Sequence, residues 1–170
     1  MIDNNQLPLL GASPDGLIHF DDGHCEVLEV KNSAPFIQSS SRLSINKAFQ
    51  FKGLGSWFIP QLQLEILCSG KSCTSAILLQ LSAMSGAIVY RVERDNTYIT
   101  MMLEFLHDFY IEYVLQDKVP PPNFFMTELH KEKYKQFLQY TKKVSESAKV
   151  IAIIPQRDIQ RSSLNTNFFC

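Results

Sequence analysis

Ser13-Pro14-Asp15-Gly16-Leu17-Ile18-His19-Phe20-Asp21-Asp22-Gly23-His24-Cys25-Glu26-Val27-Leu28-Glu29-Val30-Lys31 is the stretch whose reading decides the fold. Residues 17–20 and 25–31 read as two short strands. Asp21-Asp22-Gly23 between them is a tight-turn signal, so the pair is predicted to be a hairpin. Pro14 fixes its own φ and Gly16 permits a positive one, so the preceding turn is rigid and presents Asp15 at the mouth of a strand. Strand side chains alternate, which puts Glu29 and Lys31 on one face and Leu28 and Val30 on the other. If the strands pair, Asp15 and Glu29 meet at one end of the hairpin.

Outward from this hairpin, residues 32–56 are rich in Ser, Lys, Gly and Asn. They read as a loop with one helical turn near residues 45–49. Pro60 suits a first helical turn, and residues 61–68 continue as a helix ending at Gly70. Residues 75–83 and 87–93 are two further strands joined by Met84-Ser85-Gly86, and Ala76-Ile77-Leu78-Leu79 suits a strand buried on both faces. From 96 to 117 apolar residues recur at helical spacing with Asp95 as N-cap. Pro120-Pro121-Pro122 stops that helix. A last helix is expected over 128–151, capped by Thr127, with Tyr134, Phe137, Leu138, Thr141, Val144 and Ala148 as its buried stripe. The order predicts an α/β domain: a mixed sheet flanked by helices. Residues 1–119 form a core with its first long helix; 120–170 add a Pro-rich spacer and a basic helix packed on that core.

A chain of 170 residues that is 45% hydrophobic and 19% charged is one globular domain and argues against disorder. No apolar run reaches the roughly 18 residues a membrane helix needs. The first residues lack the basic-then-apolar order of a signal peptide, so an intracellular protein, nuclear or cytoplasmic, is expected. Cys25, Cys68, Cys73 and Cys170 form no C-x-x-C pair. The residue type's preference for the interior favours a core role over a zinc site drawn from His24, Cys25, Cys68 and Cys73. The net charge of −1 says little, but its distribution is uneven. Residues 1–30 hold acids and no Lys or Arg, whereas 131–161 are rich in Lys and Arg. An acidic start suits cations and a basic end suits phosphates.

Two carboxylates brought together repel unless a cation lies between them. An oxygen-rich pair such as Asp15 and Glu29 suits Mg²⁺ or Mn²⁺, which polarises a phosphate. Lys31 would then stabilise developing charge or orient the attacking water. An E-x-K on a strand is by itself usually a solvated ion pair. Joined to the turn by a hairpin, and followed by Gln61 and Gln63, it carries more weight.

At these residues the chain resembles a known family. Gly11-Ala12-Ser13-Pro14-Asp15-Gly16-Leu17, then Leu28-Glu29-Val30-Lys31, then Phe58-Ile59-Pro60-Gln61-Leu62-Gln63 look like the phage lambda exonuclease group, also called YqaJ-type viral recombinases, of the PD-(D/E)XK nuclease superfamily. The resemblance covers about residues 9–95. It implies a restriction-endonuclease-like fold and a Mg²⁺-dependent (or Mn²⁺-dependent) deoxyribonuclease, exonuclease-like, acting on duplex DNA with a free end in recombination or mobile-element processing. It implies Asp15, Glu29, Lys31 and Gln61 as catalytic residues, with Asp15, Glu29 and the Val30 backbone carbonyl on the metal. Oligomers are compatible with it. Two departures stand out. Family members carry helices before the turn, including an acidic one near the metal, and that part is expected to be missing here. Phe58 stands where the family commonly has Tyr.

Further contacts to DNA are expected from Ser13, Gln63 and a stripe of Lys135, Lys142 and Lys149 spaced seven apart, with Lys131 one turn before Lys135. A solvated face is the alternative for the stripe. Glu104 and Asp108 read as an exposed structural face. The functional alternatives are a catalytically inactive nuclease-fold module that binds DNA or protein, and a truncated fragment.

Overall fold

A computed structural model describes residues 10–33, 36–39, 42–45, 53–82 and 85–159. The predicted hairpin forms. Strand β1 (Gly16–His19) runs antiparallel to β2 (Cys25–Ser33), with Gly16 opposite Leu28 and His19 opposite Cys25. Gly23 takes the positive φ, +88°, that the Asp-Asp-Gly turn requires. Asp15 therefore sits one step past the last pair, at the level of Glu29.

β2 next pairs in parallel with β5 (Cys73–Ser82), which pairs antiparallel with β6 (Gly86–Glu93). Parallel neighbours need a long crossover. Here it contains a small separate hairpin, β3 (Phe36–Ser39) with β4 (Arg42–Ile45), and helix α1 (Ile59–Cys68). The loop expected over 32–56 thus holds two short strands, and the end of β2 lies within it. Ile45 closes β4 instead of opening a helical turn, and residues 46–49 of that predicted turn lie outside the described residues. So do Ala83 and Met84 of the later strand and turn.

α2 (Asn96–Phe109) begins where predicted, with Asp95 Oδ1 accepting from the Tyr98 amide at 2.9 Å. It continues as a wider π-type turn over Tyr110–Val114. α3 (Lys131–Glu146) is shorter than the expected 128–151. Thr127 does not cap it: its hydroxyl donates back to the Phe124 carbonyl, and His130 is the N-cap. Beyond α3 the chain becomes β7 (Lys149–Ile154), antiparallel to β6. Val150, Ile151, Ile153 and Ile154 are β-branched, which costs a helix χ1 freedom and suits a pleated strand. Gly86 admits this strand closely: a Cβ there would lie 2.1 Å from the Ile154 carbonyl oxygen.

The result is an α/β protein with a five-stranded mixed sheet, order β1-β2-β5-β6-β7, flanked by helices. Val27, Ala76, Leu78, Tyr90 and Val92 project from one sheet face into a cluster with Ile59, Leu62 and Ile66 of α1, Tyr98, Met102 and Phe105 of α2, and Phe137 and Val144 of α3. Burying each large apolar side chain contributes about 1.5–3 kcal/mol. Leu138, expected in that stripe, is instead 48% exposed, and Ser145 takes an interior place. Lys133 reaches from α3 to Glu104 of α2 at 2.8 Å and to Asp108 at 4.0 Å, so those two acids tie the helices together. Among the described residues no helix is long and apolar enough to cross a membrane.

Candidate functional site

Glu29 shares the helix-facing side of β2 with Val27. That places a carboxylate beside the first turn of α1, only 4% exposed. Its neighbour two residues on obeys the predicted alternation: Lys31 Nζ lies 2.5 Å from Glu29 Oε1. Gln61, in the first turns of α1, donates from Nε2 to the same oxygen at 2.7 Å. Asp15 approaches from the other side of the strand, where its Oδ2 accepts the Val30 amide at 2.8 Å. In a strand the N–H and C=O of one residue face the same neighbour, so the Val30 carbonyl points toward the Asp15 edge. The structure thus brings Asp15, Glu29, Lys31 and Gln61 to one end of the sheet, with the Val30 carbonyl beside them. Ser13 is exposed two residues before Asp15. Phe58 packs against the core just before Pro60.

Gln63 does not join this group, which corrects the expectation that it meets DNA. It is wholly buried, its Nε2 donates to the Glu93 carbonyl at 2.8 Å, and its Oε1 accepts the Asp95 amide at 3.0 Å. Two residues along a helix turn a side chain by more than half a circle, so Gln61 and Gln63 face different surroundings. The lysine stripe is corrected at Lys149. Lys149 belongs to β7, not to the helix, and pairs with Glu93 at 3.1 Å. Lys135 pairs with Glu132 at 2.7 Å, and Lys142 lies 3.8 Å from Glu146. Each of these three lysines thus faces a local acid.

Glu65 was not singled out from the sequence. It lies one turn after Gln61 on the same helix face and is 2% exposed. Gln61 Nε2 donates to Glu65 Oε1 at 2.7 Å, so one amide nitrogen bridges two buried acids. Burial pushes the Glu65 carboxyl above its ordinary range; the Gln61 hydrogen bond opposes this, and the charge of Glu29 adds to it. The i, i+4 spacing of Gln61 and Glu65 was a readable signal, but burial of an acid is not a sequence-level default.

Unpartnered polar atoms gather in the same region. Among the described residues the buried side-chain atoms with no hydrogen-bond partner are Glu29 Oε2, Glu65 Oε2, Gln80 Oε1, Tyr90 Oη and Arg91 Nε. The last lies 2.9 Å from Glu26 Oε1, as half of an ion pair on the opposite sheet face, where Ser75 also donates to Glu26. The others belong to the helix-facing side. Leu78 and Gln80 of β5 stand in register with Glu29 and Lys31, and Tyr90 stands in register with Leu78. Native structures satisfy most buried polar atoms, so such a concentration is unusual among the described residues.

The thiols have a simpler role. Cys25 and Cys73 are buried and free. Burial first, and then Cys25, push the Cys73 thiol up to about 11, which suits a core residue and not a nucleophile. His24 stacks on Phe20 and pairs with Asp22 in the exposed turn. Cys170 lies outside the described residues. Among those described, no group of three or more His, Cys, Asp or Glu side chains is placed to hold a metal ion. No protein-family model, no curated protein and no solved structure matches this chain.

Proposed function

We propose that this chain is a metal-dependent DNA nuclease with a restriction-endonuclease-like core of the lambda exonuclease (YqaJ) type. One observation supports it above the others: an acid on a turn, an acid and a lysine two apart on the adjoining strand, and a helical glutamine converge at one sheet end. The donor set fits Mg²⁺ or Mn²⁺. The Asp15 and Glu29 carboxylates and the Val30 carbonyl are hard oxygen donors, and Glu29 carries a buried oxygen with no partner. What such an ion supplies when bound is polarisation of the phosphate under attack.

The chain's own residues would divide the remaining work. Glu29, held by Lys31 and Gln61, is fixed in one rotamer before substrate arrives. Lys31 is only part-buried, so its ammonium can turn from Glu29 toward a phosphate oxygen and offset the charge that grows there. Asp15 is exposed and braced by the Val30 amide, which orients it without burying it. Linear duplex DNA incubated with Mg²⁺ tests the reading. Glu29→Gln and Lys31→Met should each lower the cleavage rate by at least about a hundredfold, the scale of losing one preorganised charge at a reacting centre. Cleavage that survives both substitutions removes the assignment.

A module that keeps this fold without cutting DNA is the second reading. The lack, among the described residues, of a three-ligand metal group favours it. Titration with Mg²⁺ or Mn²⁺ separates the two, since such a module has no need of the ion.

A further inference from the structure

We infer that Glu65 is a third acid of this site and shares a divalent cation with Glu29, an inference that rests on the nuclease reading of Asp15, Glu29 and Lys31. The family resemblance assigns nothing to Glu65. The geometry does. Glu29 and Glu65 are 4% and 2% exposed, and each has one hydrogen-bonded oxygen and one, Oε2, with no partner among the described residues. Their bonded oxygens accept from the same nitrogen, Gln61 Nε2. An amide NH₂ has two hydrogens, so this nitrogen is fully used and the remaining oxygens must look elsewhere.

The local charge is one-sided. The charges of Glu29, Lys31 and Asp15 all reach Glu65, and only Lys31 is positive. Lys31 is already spent on Glu29 at 2.5 Å. Two buried carboxylates bridged by a neutral amide repel each other, and each partnerless oxygen costs free energy. A cation between them offsets both terms. Mg²⁺ is commonly held by one or two carboxylates, with water and substrate phosphate completing its shell. A pair of acids is therefore enough without three protein ligands around one point. Both acids stand on regular elements, β2 and α1, whose packing fixes where they project.

Titration of the full chain with Mn²⁺ alone, followed by calorimetry and by Mn²⁺ electron paramagnetic resonance, tests this. Glu65→Gln keeps the shape and removes the charge. It should weaken Mn²⁺ binding by at least about tenfold, no less than the loss of an outer-shell partner. If Glu29→Gln abolishes binding while Glu65→Gln binds as the unsubstituted chain does, the inference is overturned and the nuclease reading stands. If the unsubstituted chain binds no Mn²⁺ at millimolar concentration, both fall. Should Glu65→Gln not fold, Fe²⁺ with ascorbate and peroxide on the unsubstituted chain decides. Backbone cutting around Glu65 as well as Glu29 supports the shared cation, and cutting confined to the β1–β2 hairpin overturns it.

Discussion

Replacing Gln63 with Leu separates a structural glutamine from a DNA-contacting one. Gln63 joins the end of β6 to the start of α2 by two hydrogen bonds, one to the Glu93 carbonyl at 2.8 Å and one from the Asp95 amide at 3.0 Å. Leucine fills nearly the same volume, so little cavity is created, and the change removes both bonds. Neither Glu93 nor Asp95 is fully buried, so water can recover part of what is lost. Each bond then counts near the net value of about 1 kcal/mol, and the pair near about 2 kcal/mol. For a domain of this size that corresponds to a fall in Tm of about 4–8 °C. Urea unfolding should show a lower midpoint with an unchanged slope, the mark of altered stability without altered compactness. At temperatures where the variant stays folded, its affinity for duplex DNA should equal that of the unsubstituted chain. Unchanged stability combined with weakened DNA binding would refute the structural role and restore the surface one.

Two further outcomes follow from the charges. Glu65 is raised above its ordinary value, so the folded state holds this proton more tightly than the unfolded chain does. The stabilisation is full below the unfolded pKa of 4.5 and is lost as pH rises through the elevated folded value. In metal-free buffer, Glu65→Gln should therefore gain on the unsubstituted chain in unfolding free energy as pH rises above the unfolded value of 4.5, and a difference that stays constant as pH rises would count against it. Replacing Lys135 and Lys142 together by Gln should leave DNA affinity within about threefold and the salt slope nearly unchanged, because Glu132 and Glu146 sit beside them. A slope reduced by about two would show that both lysines do engage phosphates.

Much of the candidate site was legible because its signals are local. Ser13-Pro14-Asp15-Gly16, the Asp21-Asp22-Gly23 turn and the strand alternation of Glu29 and Lys31 each act over a few residues, and so does Pro60 at the start of α1. What was not legible depends on tertiary packing. The lysine spacing and the apolar stripe both suggested a helix to 151, yet an open edge on β6 draws 149–154 into the sheet, where a β-branched run gains hydrogen bonds and cross-strand contacts. Gln63 resembles any helical surface polar until two backbone groups at the β6–α2 junction need a partner. Glu65 resembles a solvated helix acid until α1 is laid on β2. The short strands of 36–39 and 42–45 pair with each other, in a stretch whose Ser-rich composition reads as loop.

The arrangement of Glu29, Gln61 and Glu65 is poorly explained as a stability device. Burying two acids about one amide leaves two oxygens unpartnered in a sheet face otherwise filled by Val27, Leu78, Tyr90 and the α1 leucine and isoleucines. Apolar residues at those positions would remove that desolvation cost, as replacements of buried ion pairs by hydrophobic residues often do. The strain is also confined. Glu26, three residues before Glu29 on the same strand, is equally buried but faces the other way, where Ser75 and Arg91 satisfy it. One strand thus holds a completed acid on one face and an incomplete one on the other. Only the incomplete one lies beside Lys31, Gln61 and the Asp15 turn. The fold satisfies Glu26 and leaves one oxygen each of Glu29 and Glu65 without a partner among the described residues, and the proposed shared cation would supply what those two oxygens lack.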